Sequence, residues 1–570
     1  METETDNVEL NAYSWVALAI FLAALVFVIR PFEFSLPKIG WRLYLNLATA
    51  PPLGVLILLA SKTIDWINIR DGLLGHNIGV EPYAIMLLFY SLAYLCISLD
   101  LTGLIQFCAF WVSKRAGNRG HMAFSLFFIM TSLISGLASN DVVVLTGTAF
   151  LSYFTRVSDI QPTAFLMSEF TSANIASMAL YIGNPTNVVI AEAFNMSFIT
   201  YSAWMLLPTF ICLGIAYLAL RVVFHSQKYL PSVIHPPEEE PQAVLVDPKG
   251  AIFGLVLLGV CLCTLIGTSF VHGVSVWMVT LPFAVVMLLR DVWYDLTLQW
   301  KKKAEPIPSS PKSATENNEE TTDDDDDITT TTTTTTAAST TAANHRQLRD
   351  NNITSVSSEQ DITAMTSIEM IEMATSDESP VRQRSTAVAT GTAASRSNSR
   401  HDVNNKHNDD IATAAGTDAS QDELPITTNK AIRNRFMNVL WKFRSRLPTM
   451  TSVLARMPWK ILPFALSMFV LVEGLSEVGW IGICATAMVS VARNDYVSTV
   501  FGVMGISLLA CQLLNNLPMT ILFTRILQHP NFAQHAGMSD IVTQAAVLGL
   551  VVGSNLGACL TLVGSLAGIM

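Results

Sequence analysis

Apolar residues fall in runs long enough to cross a bilayer, and polar residues interrupt some of those runs near their middles. Uninterrupted runs cover Tyr13–Ile29, Leu43–Ala60, Pro82–Leu99, Trp204–Val223, Ala251–Phe270, Ser275–Leu289 and Ile461–Val472. Other runs are broken. Met122–Ser139 and Val142–Phe154 flank Asn140-Asp141, and Val500–Leu514 and Leu517–Leu527 flank Asn515-Asn516. Ala164–Ile182 leads into Gly183-Asn184-Pro185-Thr186-Asn187, and Ile541–Val552 leads into Gly553-Ser554-Asn555. With the breaks placed inside spans, the pattern predicts about ten membrane elements.

Basic residues fix the sidedness of this bundle. Arg30, Lys38 and Arg42 follow the first span, and Lys114, Arg115 and Arg119 lie two spans later on the same side. If the element around Asn140 is a re-entrant hairpin, Arg156 returns to that face. Arg221, Lys228, Arg290 and Lys301–Lys303 then follow on it. The positive-inside rule makes this face cytosolic. The N-terminus and the Asn195-Met196-Ser197 sequon are thereby expected outside. The hairpin around Asn515 then enters from outside, which gives an inverted pair.

The two halves carry their breaks in the same order. Asp100 precedes Asn140 and Glu473 precedes Asn515, each by about forty residues; Gly183 and Gly553 follow those asparagines after about forty more. Interrupted segments in corresponding positions of two halves are the best sequence pointer to a transporter site. Gly and Pro release backbone N–H and C=O groups that lipid does not tolerate, so the breaks must line a cavity. Helix N-termini there favour anionic or oxygen-rich solutes, and Asn and Thr side chains add neutral hydrogen bonds. Asp141 is the one carboxylate at a break, the kind of group expected to carry a coupling ion or proton. A lone Asn beside a span can be only a helix cap, and Gly-x-Pro only a kink. Four breaks ordered alike favour a site. Asp100 and Glu473 read equally well as site or interface residues.

Composition changes the picture in one stretch. The net charge is -11, but residues 304–430 hold roughly 22 acidic and 9 basic side chains, so the remainder is slightly positive. That stretch contains Asp323–Asp327 and Thr329–Thr336 and has too few apolar residues for a core; we expect a disordered cytosolic linker. The expected domains are a membrane half at 1–303, the linker at 304–430 and a second membrane half at 431–570. The second half is expected to be truncated, since nothing in it follows Met570 to match Trp204–Val223. Eight scattered cysteines show no disulfide or metal spacing and are expected to pack in the core. No nucleotide-binding P-loop, H-E-x-x-H or G-x-S-x-G motif occurs, so an ion gradient rather than a built-in ATPase is the expected energy source.

At the breaks the chain resembles the arsenical pump membrane protein family. That family lies within the ion transporter superfamily, which also holds sodium/proton antiporters and citrate or dicarboxylate carriers. The resemblance rests on Arg115-Ala116-Gly117-Asn118-Arg119-Gly120 leading to Ala138-Ser139-Asn140-Asp141, and on Ala173-Asn174-Ile175-Ala176-Ser177 with Gly183–Asn187. It rests further on Asn515-Asn516-Leu517-Pro518, and on Gly553-Ser554-Asn555-Leu556-Gly557 through Thr561 to Gly564-Ser565. It implies an all-α polytopic membrane protein, an inverted-repeat transporter with two re-entrant hairpins and two discontinuous helices around one site. The hairpin tips would be Asn140-Asp141 and Asn515-Asn516, and the unwound helices Gly183–Asn187 and Gly553–Ser565. Bacterial arsenical pumps tend to carry an acid and a lysine where this chain has Asn555 and Cys559.

The expected function is secondary transport of an inorganic solute or anion, such as arsenite, antimonite or silicic acid, coupled to protons or sodium. A sodium-coupled citrate or dicarboxylate carrier is the first alternative, and a non-transporting membrane scaffold the second. The expected substrate- or ion-binding residues are Ser139, Asn140, Asp141, Gly183, Asn184, Pro185, Thr186, Asn187, Asn515, Asn516, Pro518, Gly553, Ser554, Asn555, Gly557, Thr561, Gly564 and Ser565. No catalytic residue, metal or cofactor other than the coupling ion is expected. Neither is a nucleic-acid partner; a homodimer and cytosolic partners of the linker fit the pattern.

Overall fold

The computed structural model describes residues 10–36, 41–75, 80–138, 140–237, 239–271, 273–304, 442–492, 495–535, 539–565 and 568. Ser139, the acidic N-terminal residues and the expected linker from residue 305 onward lie outside these. Among the described residues, nine helices are long and apolar enough to cross a membrane, and the only sheet is a two-stranded hairpin. The protein is a polytopic, all-helical integral membrane protein.

Helix α1 (Ala12–Ile29) opens the chain, capped by Asn11, whose carboxamide oxygen accepts from the Ser14 amide at 3.0 Å. Strands β1 (Phe32–Leu36) and β2 (Trp41–Leu45) pair antiparallel. The expected span Leu43–Ala60 is therefore only partly helical: α2 covers Ala50–Ala60. Pro51 and Pro52 lack an N–H and fit only the first turn, so the helix begins with them. A short α3 (Trp66–Leu74) follows.

From α4 onward two stretches of the chain run through similar elements. In the first half α4 (Pro82–Leu101) turns at Gly103 (φ 86°) into α5 (Leu104–Ala116). The pair α6 (Gly120–Leu137) and α7 (Asn140–Val157) comes next. Then α8 (Thr163–Ala176) dissolves into 3-10 turns before α9 (Pro185–Ala193). Helices α10 (Phe198–Val223), α11 (Pro248–Thr268) and α12 (Val276–Ala304) complete this half. In the second half α13 (Pro448–Arg456) precedes α14 (Ile461–Glu477), which turns at Gly479 (φ 87°) into α15 (Trp480–Val491). The pair α16 (Tyr496–Leu514) and α17 (Asn516–Gln528) follows, then a single-turn α18 (Pro530–Ala533) and α19 (Asp540–Leu560), which unwinds at Thr561. Gly103 and Gly479 each stand at the corner between two helices where φ is positive, a conformation that side chains disfavour.

Polarity is arranged for a lipid solvent. Leu207, Phe210, Ile215, Leu218 and Val222 of α10 are exposed, whereas Asn174, Thr186, Asn187, Asn515 and Asn555 are fully buried. Apolar side chains face outward because lipid carries no penalty for them, and polar groups gather inside where they find one another. Of the eight cysteines, Cys263 is exposed and the others are buried or half-buried.

Buried charge ties the two halves together at one end. Arg290 pairs with Asp247 and with Asp291 (3.1 Å), and Asp291 also accepts from Ser98 (2.6 Å) and Tyr94 (3.1 Å) of α4. One helical turn on, Asp295 accepts from the backbone amides of Thr449 and Met450, each at 3.1 Å. Asp295 thus caps α13 from a distant helix, and its negative charge suits the positive end of that helix dipole.

Candidate functional site

Each half supplies two interruptions, and side-chain hydrogen bonds link them. Between α6 and α7 the chain turns at Ala138 (φ −108°, ψ −103°), and α7 restarts at Asn140. Asn140 donates from Nδ2 to Oδ1 of Asn174 on α8 at 3.1 Å. The hydroxyl of Ser565, from the interruption that ends the second half, donates to the same Asn174 oxygen at 3.3 Å. Between α16 and α17 the turn is Asn515 alone, at φ 70° and ψ 156°. That region is nearly exclusive to glycine and costs about 1–3 kcal/mol for a residue with a side chain. The Asn515 carboxamide offsets part of this by donating to the Val563 carbonyl at 2.9 Å.

The two broken helices meet directly. Asn184, the N-cap of α9, accepts from the Thr186 amide at 3.2 Å and donates from Nδ2 to Oδ1 of Asn555 at 3.2 Å. Asn555 in turn donates from Nδ2 to Oδ1 of Asn187 at 2.9 Å and to the Val551 carbonyl at 2.9 Å. Asn187 holds the 3-10 segment by donating to the carbonyls of Ser177 (2.9 Å) and Leu180 (3.1 Å). Carboxamides both donate and accept, so a chain of them bridges helices without net charge.

Several buried polar atoms in this region have no hydrogen-bond partner: Asn140 Oδ1, Asp141 Oδ2, Thr186 Oγ1, Asn516 Oδ1 and Thr520 Oγ1. Each such atom carries a desolvation cost of about 1–3 kcal/mol. They stand at or near the starts of α7, α9 and α17, whose first-turn amides have no partner within their own helices. The arrangement offers a small solute both acceptor oxygens and helix N-termini.

A cavity of about 200 Å³ reaches this region from one side. It runs along α7 from Asp141 past Leu145, Thr146 and Ala149 to Tyr153, with Asp100 and Arg456 in its wall. Asp100 accepts from Arg456 at 3.3 Å and from Thr146 at 3.0 Å, so a buried carboxylate braces this arm of the first pair. Glu473 does the same in the second half: Arg525 of α17 donates to it at 2.8 Å. Both carboxylates lie inside the protein and act as struts. A further buried carboxylate was not visible in the sequence pattern. Glu169 of α8 accepts from the Thr148 hydroxyl at 3.1 Å, and it lies where a β-carbon at Gly147 would sit.

The structure relocates parts of the predicted site. Gly553, Ser554, Asn555 and Gly557 lie within the continuous helix α19, and unwinding begins only at Thr561. The glycines stand where two helices approach closely: a β-carbon at Gly553 would press on Ser507 and Met504 of α16, and one at Gly557 on Cys511. Small residues allow such close helix approach in membranes. In the first half the unwound stretch is 177–184, whereas Pro185, Thr186 and Asn187 already belong to α9. Gly183 closes a 3-10 turn against the Ser177 carbonyl. Pro518 is buried in the first turn of α17, and Gly564 packs on the Gly557 carbonyl. Thr561 is exposed and donates to Gln512 at 2.7 Å, away from the asparagine network. Asn174, Asn140, Asn184, Asn187, Asn555 and Ser565 form its centre.

The chain is similar to several known membrane proteins. A family model described as citrate transporter matches residues 9–295 and 430–553. The arsenical pump membrane protein of Escherichia coli is 27% identical over 43% of this chain and 53% of its own length. The silicon efflux transporter of Oryza sativa subsp. japonica is 33% identical over 17% of the chain and 20% of its own length. A 46 kDa membrane protein of Mycobacterium leprae is 27% identical over 24% of the chain and 32% of its own length. The chain thus spans about half, or less, of the curated relatives it matches.

Proposed function

The chain belongs to the citrate transporter family, and from that membership we propose that it is a secondary active transporter of a small inorganic solute, driven by a proton or sodium gradient. The observation that carries the reading is the meeting of breaks from both halves in one asparagine network that leaves buried acceptors unpartnered. In this reading α6–α7 and α16–α17 are re-entrant hairpins of opposite orientation, and the two halves are an inverted repeat on either side of the site.

The chemistry of the network favours an uncharged, hydroxyl-rich solute. Asn and Thr side chains donate to and accept from hydroxyls, and among the described residues no lysine or arginine belongs to the network. Arg456, in the cavity wall, is held by Asp100. Arsenous and silicic acids, neutral near pH 7, fit such a lining. The similarity to an arsenical pump and to a silicon efflux transporter supports this class. Asp141 and Glu169 are the carboxylates placed to take up and release a coupling ion as the site changes sides. A second reading, a carrier of citrate-like carboxylates, draws support from the description of the family model. It would set polyanions beside Asp141.

Proteoliposomes containing the full chain test both. We expect uptake of arsenite or silicic acid to exceed that of citrate and to require an imposed proton or sodium gradient. Asp141→Asn should lower the gradient-driven rate about ten-fold or more, the equivalent of about 1.4 kcal/mol. Faster citrate uptake would install the second reading. Flux indifferent to either gradient would remove the secondary-active one.

A further inference from the structure

The open cavity follows one face of α7 from its tip outward through Asp141, Leu145, Ala149 and Tyr153, spaced by four residues. With the tips aligned, Asn140-Asp141 on Asn515-Asn516, these positions correspond to Asn516, Thr520, Thr524 and Gln528 of α17. Steps of four advance only about 40° around a helix, so each set forms a ridge from tip to base.

The α17 ridge is closed but polar. Among the described residues, Asn516 Oδ1, Thr520 Oγ1, Thr524 Oγ1 and Gln528 Oε1 are all buried without a hydrogen-bond partner. Threonine in a helix ordinarily satisfies itself by donating to the carbonyl four residues back. Thr155, Thr209, Thr264 and Thr486 do so here, at 2.7–3.0 Å. Thr520 and Thr524 do not. A run of unpaired hydroxyls and carboxamide oxygens buried to this degree is costly in any protein core. α17 packs against α9, and Gln528 at the far end of the ridge donates to the Ala193 carbonyl at 2.8 Å.

We propose that Asn516, Thr520, Thr524 and Gln528 line the second half of the solute path, the counterpart of the open cavity, and take up water and solute when α17 and α9 part. The ridge would receive small, uncharged hydrogen-bonding solutes and their hydration water. In the present conformation it is shut, while the path along α7 stands open. This rests on the transport reading above, and the orphaned acceptors are satisfied only in the alternate state.

Single cysteines introduced into the full chain in sealed membranes test it, with a membrane-impermeant maleimide applied from the side opposite Arg456. Thr524→Cys is expected to react about ten-fold faster than Leu527→Cys, a buried position off the ridge, because labelling follows the population of the open state. Ile541→Cys, exposed at the start of α19, reports that reagent reaches that face. Equal, slow labelling of Thr524→Cys and Leu527→Cys beside a labelled Ile541→Cys would overturn the proposal, whatever the flux. Labelled Thr524→Cys in protein that carries none of the solutes tested would count against the transport reading and leave the path standing. Thr520→Val with Thr524→Val gives a second check. Removing two orphans should raise the melting temperature while lowering flux about ten-fold; unchanged flux with raised stability would reduce the ridge to misfit packing.

Discussion

Asn184 and Asn555, 371 residues apart, share a hydrogen bond of 3.2 Å that joins the cap of α9 to the last turns of α19. The same Asn555 amide donates to Asn187 and to Val551 in its own helix, so one side chain of α19 couples to both the cap and the first turn of α9, on the far side of the break in the first half. Asn555→Asp removes both donors and sets a carboxylate oxygen against the Asn187 oxygen. The expected loss is about 1–3 kcal/mol, read as a lower melting temperature, together with reduced flux. Wild-type melting and flux in that variant would show that the halves are held together elsewhere.

The pair Arg525–Glu473 is buried, with side chains 15% and 6% exposed. Arg525→Ala strands a carboxylate inside the bundle and should cost about 3–5 kcal/mol. Removing both charges with Glu473→Leu and Arg525→Leu should recover most of that stability, because an apolar pair of similar volume needs no counter-charge. Thermal unfolding in detergent reads the comparison; a double variant as unstable as Arg525→Ala would refute the brace.

Two glycines in long apolar helices should respond oppositely to alanine. A β-carbon at Gly553 would lie 2.6 Å from the Ser507 β-carbon and 2.7 Å from the Met504 carbonyl oxygen. Gly553→Ala should therefore cost about 1–3 kcal/mol by forcing α19 off α16. Gly259 of α11 has nothing within 4 Å of that position, so Gly259→Ala should gain about 0.5–1 kcal/mol from helix propensity alone. Melting temperatures that move in the same direction would contradict the packing role given to Gly553.

Glu169 and Thr148 form a contact between α8 and the arm α7, with Gly147 making the room. If Glu169 takes part in coupling, Glu169→Gln keeps the threonine contact and the volume but removes the titration. The variant should fold, bind and exchange solute, yet lose the dependence of uptake on an imposed pH difference. An unaltered pH profile would assign Glu169 to packing.

Much of this architecture is legible in the residues, and the reasons differ from place to place. Asn140 and Asn515 announce themselves because a carboxamide in an apolar run has few uses except at a turn or site, and both begin helices here. Gly553-Ser554-Asn555 misleads because glycine serves two purposes, loosening a backbone and admitting a neighbour, which local sequence does not separate. Glu169 hides beside Ser168 in a run that reads as an ordinary span, and its meaning comes from Gly147 opposite. Arg456 and Arg525 are ordinary basic residues until folding sets them on Asp100 and Glu473. The Thr520–Thr524 ridge is invisible for a different reason: a threonine that declines its own helix carbonyl looks like any other threonine in the sequence.

Asp295 has a consequence for assembly. By gripping the first turn of α13, it fixes α12 against the start of that helix, between residues 154 apart in the chain. The grip is made by the two helices themselves, so two separately expressed pieces, one carrying α12 and the other α13, retain a built-in rendezvous.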